Sequence, residues 1–112
     1  MVQIRKIQEL LDAEISSCFS RREMLEQDGR EDEANFEKIR ANVFGIFRTV
    51  SGVAEQQPEP LLFFRKKLQE IPENWRRAEE KAKQHGADDQ ASIEAIKLAA
   101  ADRIRGMLED CV

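Results

Sequence analysis

Hydrophobic residues recur every three or four positions along four segments of this chain, which is the period of an amphipathic α-helix. The first segment runs from Val2 to Gln27, and its apolar stripe comprises Ile4, Ile7, Leu11, Ile15, Cys18 and Leu25. Gly29 follows this segment and predicts a left-handed C-terminal cap. We expect Asp28 or Asp32 to cap the start of the second helix.

The second segment, from Glu33 to Ala54, has two faces that both suit packing. Its front face follows the spacing of a buried seam and comprises Phe36, Ile39, Val43, Ile46, Val50 and Val53. Its back face is a row of small residues, Ala34, Ala41, Gly45 and Gly52, interrupted by Lys38. A glycine inside a helix costs about 1 kcal/mol relative to alanine. We therefore expect the front face to form the core and the back face to contact a second helix from a partner.

Two prolines, Pro58 and Pro60, end the second helix, and Pro60 suits the first position of the third. The stripe of the third helix comprises Leu61, Phe64, Leu68, Ile71, Trp75, Ala78, Ala82 and His85. Because this rhythm continues across Pro72, we predict one helix that is kinked at the proline rather than two shorter helices. Trp75 is expected to lie in the core.

Gly86 is expected to cap the third helix, and Asp88 or Asp89 the start of the fourth. The fourth stripe comprises Ile93, Ile96, Ala100, Ile104, Met107 and Cys111. Four helices of similar length with short connections predict an all-α fold, a single domain over residues 1–112 arranged as an up-down-up-down antiparallel four-helix bundle. Two long helical hairpins that pair only in a dimer would produce the same pattern.

The composition narrows the class of protein further. Charged residues make up 36% and hydrophobic residues 41% of the 112 positions, which is typical of a soluble helical domain. The net charge of −4 and the isoelectric point near 5.1 argue against a general nucleic-acid-binding protein. No apolar run is long enough to span a membrane, and the first residues lack the apolar region of a secretion signal. We expect a cytoplasmic protein.

Catalytic and metal chemistry have little support in the sequence. A di-metal bundle needs at least two histidines, and this chain has only His85. Cys18 and Cys111 follow no metal-binding spacing, and the predicted helices separate them by roughly 20 Å, too far for a disulfide. The basic residues of the third helix alternate with glutamates, as on a solvated helix face. We expect no enzymatic activity, no metal and no cofactor.

The leading functional hypothesis is a non-enzymatic bundle that acts through protein–protein contact, as a homodimer or with another helical protein. Phe44 lies about 100° away from the seam of the second helix and next to its row of small residues. In the run 61–64, only two of the four large apolar side chains can face inward. The expected contact residues are Ala41, Phe44, Gly45, Gly52, Leu62 and Phe63.

The alternative hypothesis is the binding or sensing of a small ligand or anion at one end of the bundle. Arg22 is the one charged residue at the centre of an apolar stripe, and polar groups that converge at the mouth of a bundle can hold a ligand. The expected site comprises Arg22, Asn35, His85 and Gln90. A structural explanation for Arg22 is that its aliphatic stem covers apolar surface while the guanidinium reaches water.

Overall fold

The computed structural model describes residues 3–110, which form four α-helices and no strand. The helices are α1 (Ile4–Gln27), α2 (Glu31–Ala54), α3 (Pro60–Gln84) and α4 (Asp88–Asp110). The most extensive contacts join α1 to α2 and α3 to α4, and α2 also packs against both α3 and α4. The predicted all-α four-helix bundle is therefore confirmed, and α2 and α4 each pack against all three other helices.

Glycine turns connect the helices of each hairpin. Gly29 and Gly86 have positive φ angles of 75° and 68°, the left-handed conformation that glycine adopts without strain. The Arg30 N–H donates to the Leu25 carbonyl at 2.9 Å, and the Ala87 N–H donates to the Ala82 carbonyl at 2.8 Å. These bonds are those of a Schellman motif, so both predicted glycine caps are confirmed.

The predicted N-terminal caps are wrong. α2 begins at Glu31 after Arg30, which makes no side-chain capping bond, and Asp32 lies inside the first turn. α4 begins at Asp88 itself, so Asp88 and Asp89 both occupy the first turn. Acidic side chains are favourable there because they face the positive end of the helix dipole. The residue that precedes each helix is Arg30 or Ala87, and neither has a side chain that can accept a bond from the first turn.

α3 continues through Pro72 without interruption, which confirms one helix rather than two. Pro60 occupies the start of the helix, as predicted. Pro72 is buried on the side of α3 that faces the core. The predicted kink at this proline is not confirmed.

Aromatic side chains form the centre of the core. The Phe47 ring meets Phe64 edge-on at 6.2 Å and Trp75 at 6.3 Å between ring centroids. Phe47 and Phe64 are fully buried, whereas Trp75 is half-buried and packs on the margin of the core. These contacts attach α3 to α2, and edge-on pairs of this kind add about 1 kcal/mol to the burial of each ring.

The predicted core face of α2 is wrong, because the buried side of the helix is rotated away from the predicted apolar stripe. Val43 is buried as predicted, but Ile46 and Val53 are 42% and 47% exposed. The back of the helix is buried instead, through Ala34, Ala41, Phe44 and Ser51. The reason is that α2 packs against three helices. The buried part of its circumference is therefore wider than the predicted apolar stripe and has a different centre.

The bundle is flat and extended for its size. Its principal extents are 43 × 35 × 22 Å, and the radius of gyration of its Cα atoms is 15.1 Å. A compact domain of this length would have a radius of gyration of about 13 Å. The four helices therefore leave more surface in contact with solvent than a tightly closed bundle would.

Candidate functional site

The solvent side of α2 has little charge between Ala34 and Ala54. Between Ala34 and Ala54 the exposed residues of this helix are Asn35, Lys38, Asn42, Ile46, Thr49 and Val53. We call these six residues the outer face of α2. Only one of them, Lys38, is charged, in a chain in which 36% of residues are charged.

The outer face contains apolar residues at heptad spacing. Ile46 and Val53 lie seven residues apart and therefore on the same side of the helix, about 10 Å from each other along its axis. Ile39, one heptad earlier, is half-buried. Asn35, Asn42 and Thr49 form a second heptad row beside the first. Together the two rows have the three-and-four spacing of a coiled-coil seam.

The outer face differs clearly from the exposed side of α3. The exposed charged residues of α3 are Arg65, Lys66, Glu70, Glu73, Arg76, Arg77, Glu80, Lys81 and Lys83. Several of these residues form ion pairs one helical turn apart, such as Lys66 with Glu70 at 3.9 Å. Such a surface is well solvated, whereas depletion of charge is characteristic of the core of a protein–protein interface.

Two neighbouring helices border the outer face of α2 without covering it. On one side, the Arg48 guanidinium donates to the Asp12 carboxylate at 2.9 Å and attaches α1. On the other side, Phe47 packs against Trp75 of α3. The stripe that contains Ile46 and Val53 lies between these two contacts. It is therefore accessible to another helix.

A buried carboxylate also fixes α1 against α2. Glu37 is 7% exposed and accepts bonds from Arg21 Nε at 3.2 Å and from Arg40 at 2.7 Å. Arg21 also contacts the Cys18 sulfur at 3.5 Å. Burial raises the pKa of the Cys18 thiol, and the negative charge of Glu37 raises that pKa further. This free thiol is therefore a weak nucleophile that serves packing.

The structure separates the residues that were predicted to form an interface. Phe44 is 2% exposed and Ala41 is 6% exposed, because α2 packs on its own neighbours there. Including these two residues in an exposed contact was wrong. Gly45 and Gly52 are half-buried at the edge of the outer face.

The remaining predicted contact residues lie at the start of α3. Leu62 is 62% exposed. Phe63 is half-buried, packs against the core, and has the Lys67 ammonium 5.6 Å from its ring centroid. Leu62 is thus available for contact, whereas Phe63 already has intramolecular contacts.

The residues of the predicted ligand site do not line one cavity. Arg22 and Asn35 border an open cleft of about 430 Å³ at the α1–α2 end, together with Glu26, Glu31, Ala34 and Lys38. His85 and Gln90 are exposed and do not line this cleft. The Arg22 guanidinium donates to Glu26 at 2.9 Å, so its charge is already paired.

Other kinds of site find no support among the described residues. In the range 3–110, no three His, Cys, Asp or Glu side chains are grouped so that they could hold a metal ion. None of the described helices has an apolar stretch of the length that crossing a membrane requires. Cys111, the other predicted thiol, lies outside the described residues.

The exposure of Ile46 and Val53 was missed because the sequence assigned both residues to the core. Charge provides a signal that could have found it, because the uncharged positions 35, 42, 46, 49 and 53 share one side of the helix. The fold and this surface define a small all-α bundle in which the outer face of α2 has Lys38 as its one charged residue. No protein-family model, curated protein or solved structure matches the chain.

Proposed function

We propose that this chain is a non-enzymatic helical bundle that acts through protein–protein contact, and that it contacts a second copy of itself through the outer face of α2. The observation that carries the proposal is the near absence of charge on this face, combined with the exposure of Ile46 and Val53. Branched apolar residues at heptad spacing suit the packing of one helix against another.

The surface area of the chain supports an association of this kind. Its accessible surface is 7196 Å², whereas a compact monomer of 12.9 kDa exposes about 6,300 Å². The excess is roughly 900 Å², close to the roughly 800 Å² that each partner buries in a standard interface. One face-to-face contact between two copies would therefore bring the exposed area to that of a compact protein.

A second copy is the simplest occupant because the face is compatible with itself. A two-fold axis sets the same patch of both subunits in contact. The outer face has one positive residue, Lys38, and no negative residue, so it offers a charged partner little electrostatic complementarity. Its matched rows of branched and uncharged polar side chains can pack against their own copies.

The test is sedimentation velocity of wild type, Ile46→Glu and Val53→Glu at micromolar concentration. We expect a wild-type dimer and two monomeric variants, because each substitution places a carboxylate in the contact, where it would lose hydration without a partner. Met24→Glu is the matched control, since Met24 is 65% exposed on α1 and lies outside the outer face of α2. This control should remain dimeric.

Two results would overturn the proposal. One is a wild-type protein that sediments as a monomer throughout the micromolar range. The other is a dimer that dissociates no more in Ile46→Glu and Val53→Glu than in Met24→Glu. Circular dichroism of each variant establishes that the helices are intact.

Ligand binding at the α1–α2 end has less support than self-association. The open cleft is lined by the carboxylates of Glu26 and Glu31 as well as by the cations Arg22 and Lys38. An anion would meet these carboxylates, and Arg22 is already bonded to Glu26. His85, which was expected to complete the site, does not line the cleft.

A further inference from the structure

We infer that the two copies of α2 pair in antiparallel orientation, about a two-fold axis that crosses the helix between Asn42 and Ile46. This inference rests on the proposed self-association and adds its orientation and register. It follows from the order of side chains along the outer face and from the distribution of charge at the ends of α2.

The register follows from the two heptad rows. Ile39, Ile46 and Val53 form one row, and Asn35, Asn42 and Thr49 form the other. A two-fold axis at the level of residue 44 exchanges the rows between the copies. The facing pairs are then Asn35 with Val53, Ile39 with Thr49, and Asn42 with Ile46. Every layer of the contact contains one branched apolar side chain and one uncharged polar side chain.

Charge at the start of α2 favours this orientation over a parallel one. The first turn contains Glu31, Asp32 and Glu33, all of them exposed. Parallel helices would bring the two acidic turns together at one end of the dimer. In the antiparallel register these turns lie roughly 35 Å apart along the axis, well beyond the screening length of about 8 Å at physiological salt.

Lys38, the one charged residue of the outer face, favours the same orientation. In a parallel pair with matched rows the two Lys38 side chains would lie side by side. In the antiparallel register they are separated by roughly 18 Å along the axis. The helix dipoles also oppose each other in this arrangement, so the positive N-terminal end of each helix lies beside the negative C-terminal end of the other.

Cysteine cross-linking tests the orientation directly. Ile39→Cys and Thr49→Cys are made separately in chains that also carry Cys111→Ser, while the buried Cys18 is retained. One chain has a short N-terminal extension, so that mixed and self-linked dimers separate by mass. After mixing and mild oxidation, we expect the 39–49 mixed product to exceed the two self-linked products at least tenfold.

The outcomes distinguish failure of this inference from failure of the proposed function. Self-linked products from each variant alone, with little mixed product, would overturn the antiparallel orientation and leave self-association intact. A dimer by sedimentation that gives neither product would place the contact elsewhere and overturn the inference. A monomer by sedimentation would overturn the proposed function together with the orientation.

Discussion

Two buried glutamates illustrate how differently the same side chain can be accommodated in this bundle. Both oxygens of Glu37 accept bonds, from Arg21 and Arg40. Glu94 on α4 is 4% exposed, and its Oε1 accepts from Gln90 at 2.9 Å and from Lys97 at 3.1 Å. Its Oε2 is buried without a partner. An unpaired buried polar atom reduces stability by about 1–3 kcal/mol.

The two glutamates should therefore respond oppositely to the same substitution. Glu94→Met replaces the carboxylate with an apolar side chain of similar size and removes the unpaired oxygen. We expect the free energy of unfolding to rise by about 1 kcal/mol, because the buried oxygen without a partner is removed while Gln90 and Lys97 reach solvent and can be hydrated instead. Urea unfolding followed by circular dichroism measures the change.

Glu37→Met is the matched control for this prediction. It removes two charge-assisted bonds and leaves Arg21 and Arg40 without their shared carboxylate. We expect the free energy of unfolding to fall by about 2 kcal/mol. Equal destabilisation by both substitutions would show that Glu94 is better satisfied than its contacts indicate.

At the scale of the elements, periodicity and turn chemistry predicted four helices, their order and both glycine caps. These features are local, since they depend on residues within a few positions of one another. The burial of α2 could not be predicted in the same way. Its apolar stripe is narrow, but three neighbouring helices determine which side is covered, and Phe44 and Ala41 are buried by that packing. The buried carboxylate of Glu37 was missed for the same reason.

The interior glycines of α2 provide a test of its packing. An added Cβ at Gly45 or Gly52 would meet no atom within 4 Å. We therefore expect Gly45→Ala and Gly52→Ala each to raise the free energy of unfolding by up to about 1 kcal/mol, through the higher helix propensity of alanine. Thermal unfolding of the monomeric Ile46→Glu background isolates this effect from self-association.

Gly29→Ala is the contrasting variant. Its backbone φ is 75°, so a side chain would be strained even though the space around it is open. We expect this substitution to lower the free energy of unfolding by about 1 kcal/mol. If Gly45→Ala and Gly52→Ala destabilised the fold as much as Gly29→Ala does, α2 would be more tightly packed at those glycines than the structure shows.

At the scale of the whole molecule, the flat shape and large surface area connect stability with association. If the native protein is a dimer, its stability depends on protein concentration by mass action. The monomer alone exposes Ile46 and Val53 on α2 and Leu62 at the start of α3. Association that covers this area should therefore stabilise the folded state.

We expect the midpoint of thermal unfolding to rise by about 3 °C for each tenfold increase in protein concentration, from the unfolding entropy typical of a chain of this length. Differential scanning calorimetry measures this slope at protein concentrations from about 5 to about 500 µM, a hundredfold range. The Ile46→Glu variant should show no slope. A wild-type midpoint that is independent of concentration would contradict self-association in this range.

The pairing of helices that follow one another in the chain also has a kinetic consequence. The most extensive contacts lie within the α1–α2 and α3–α4 hairpins, each joined by a glycine turn of a few residues. Closing such short loops costs little entropy, and chains dominated by local contacts fold in roughly microseconds to milliseconds. Each hairpin can form before the two meet, and we expect the meeting of α2 with α3 and α4 to be the step that sets the folding rate.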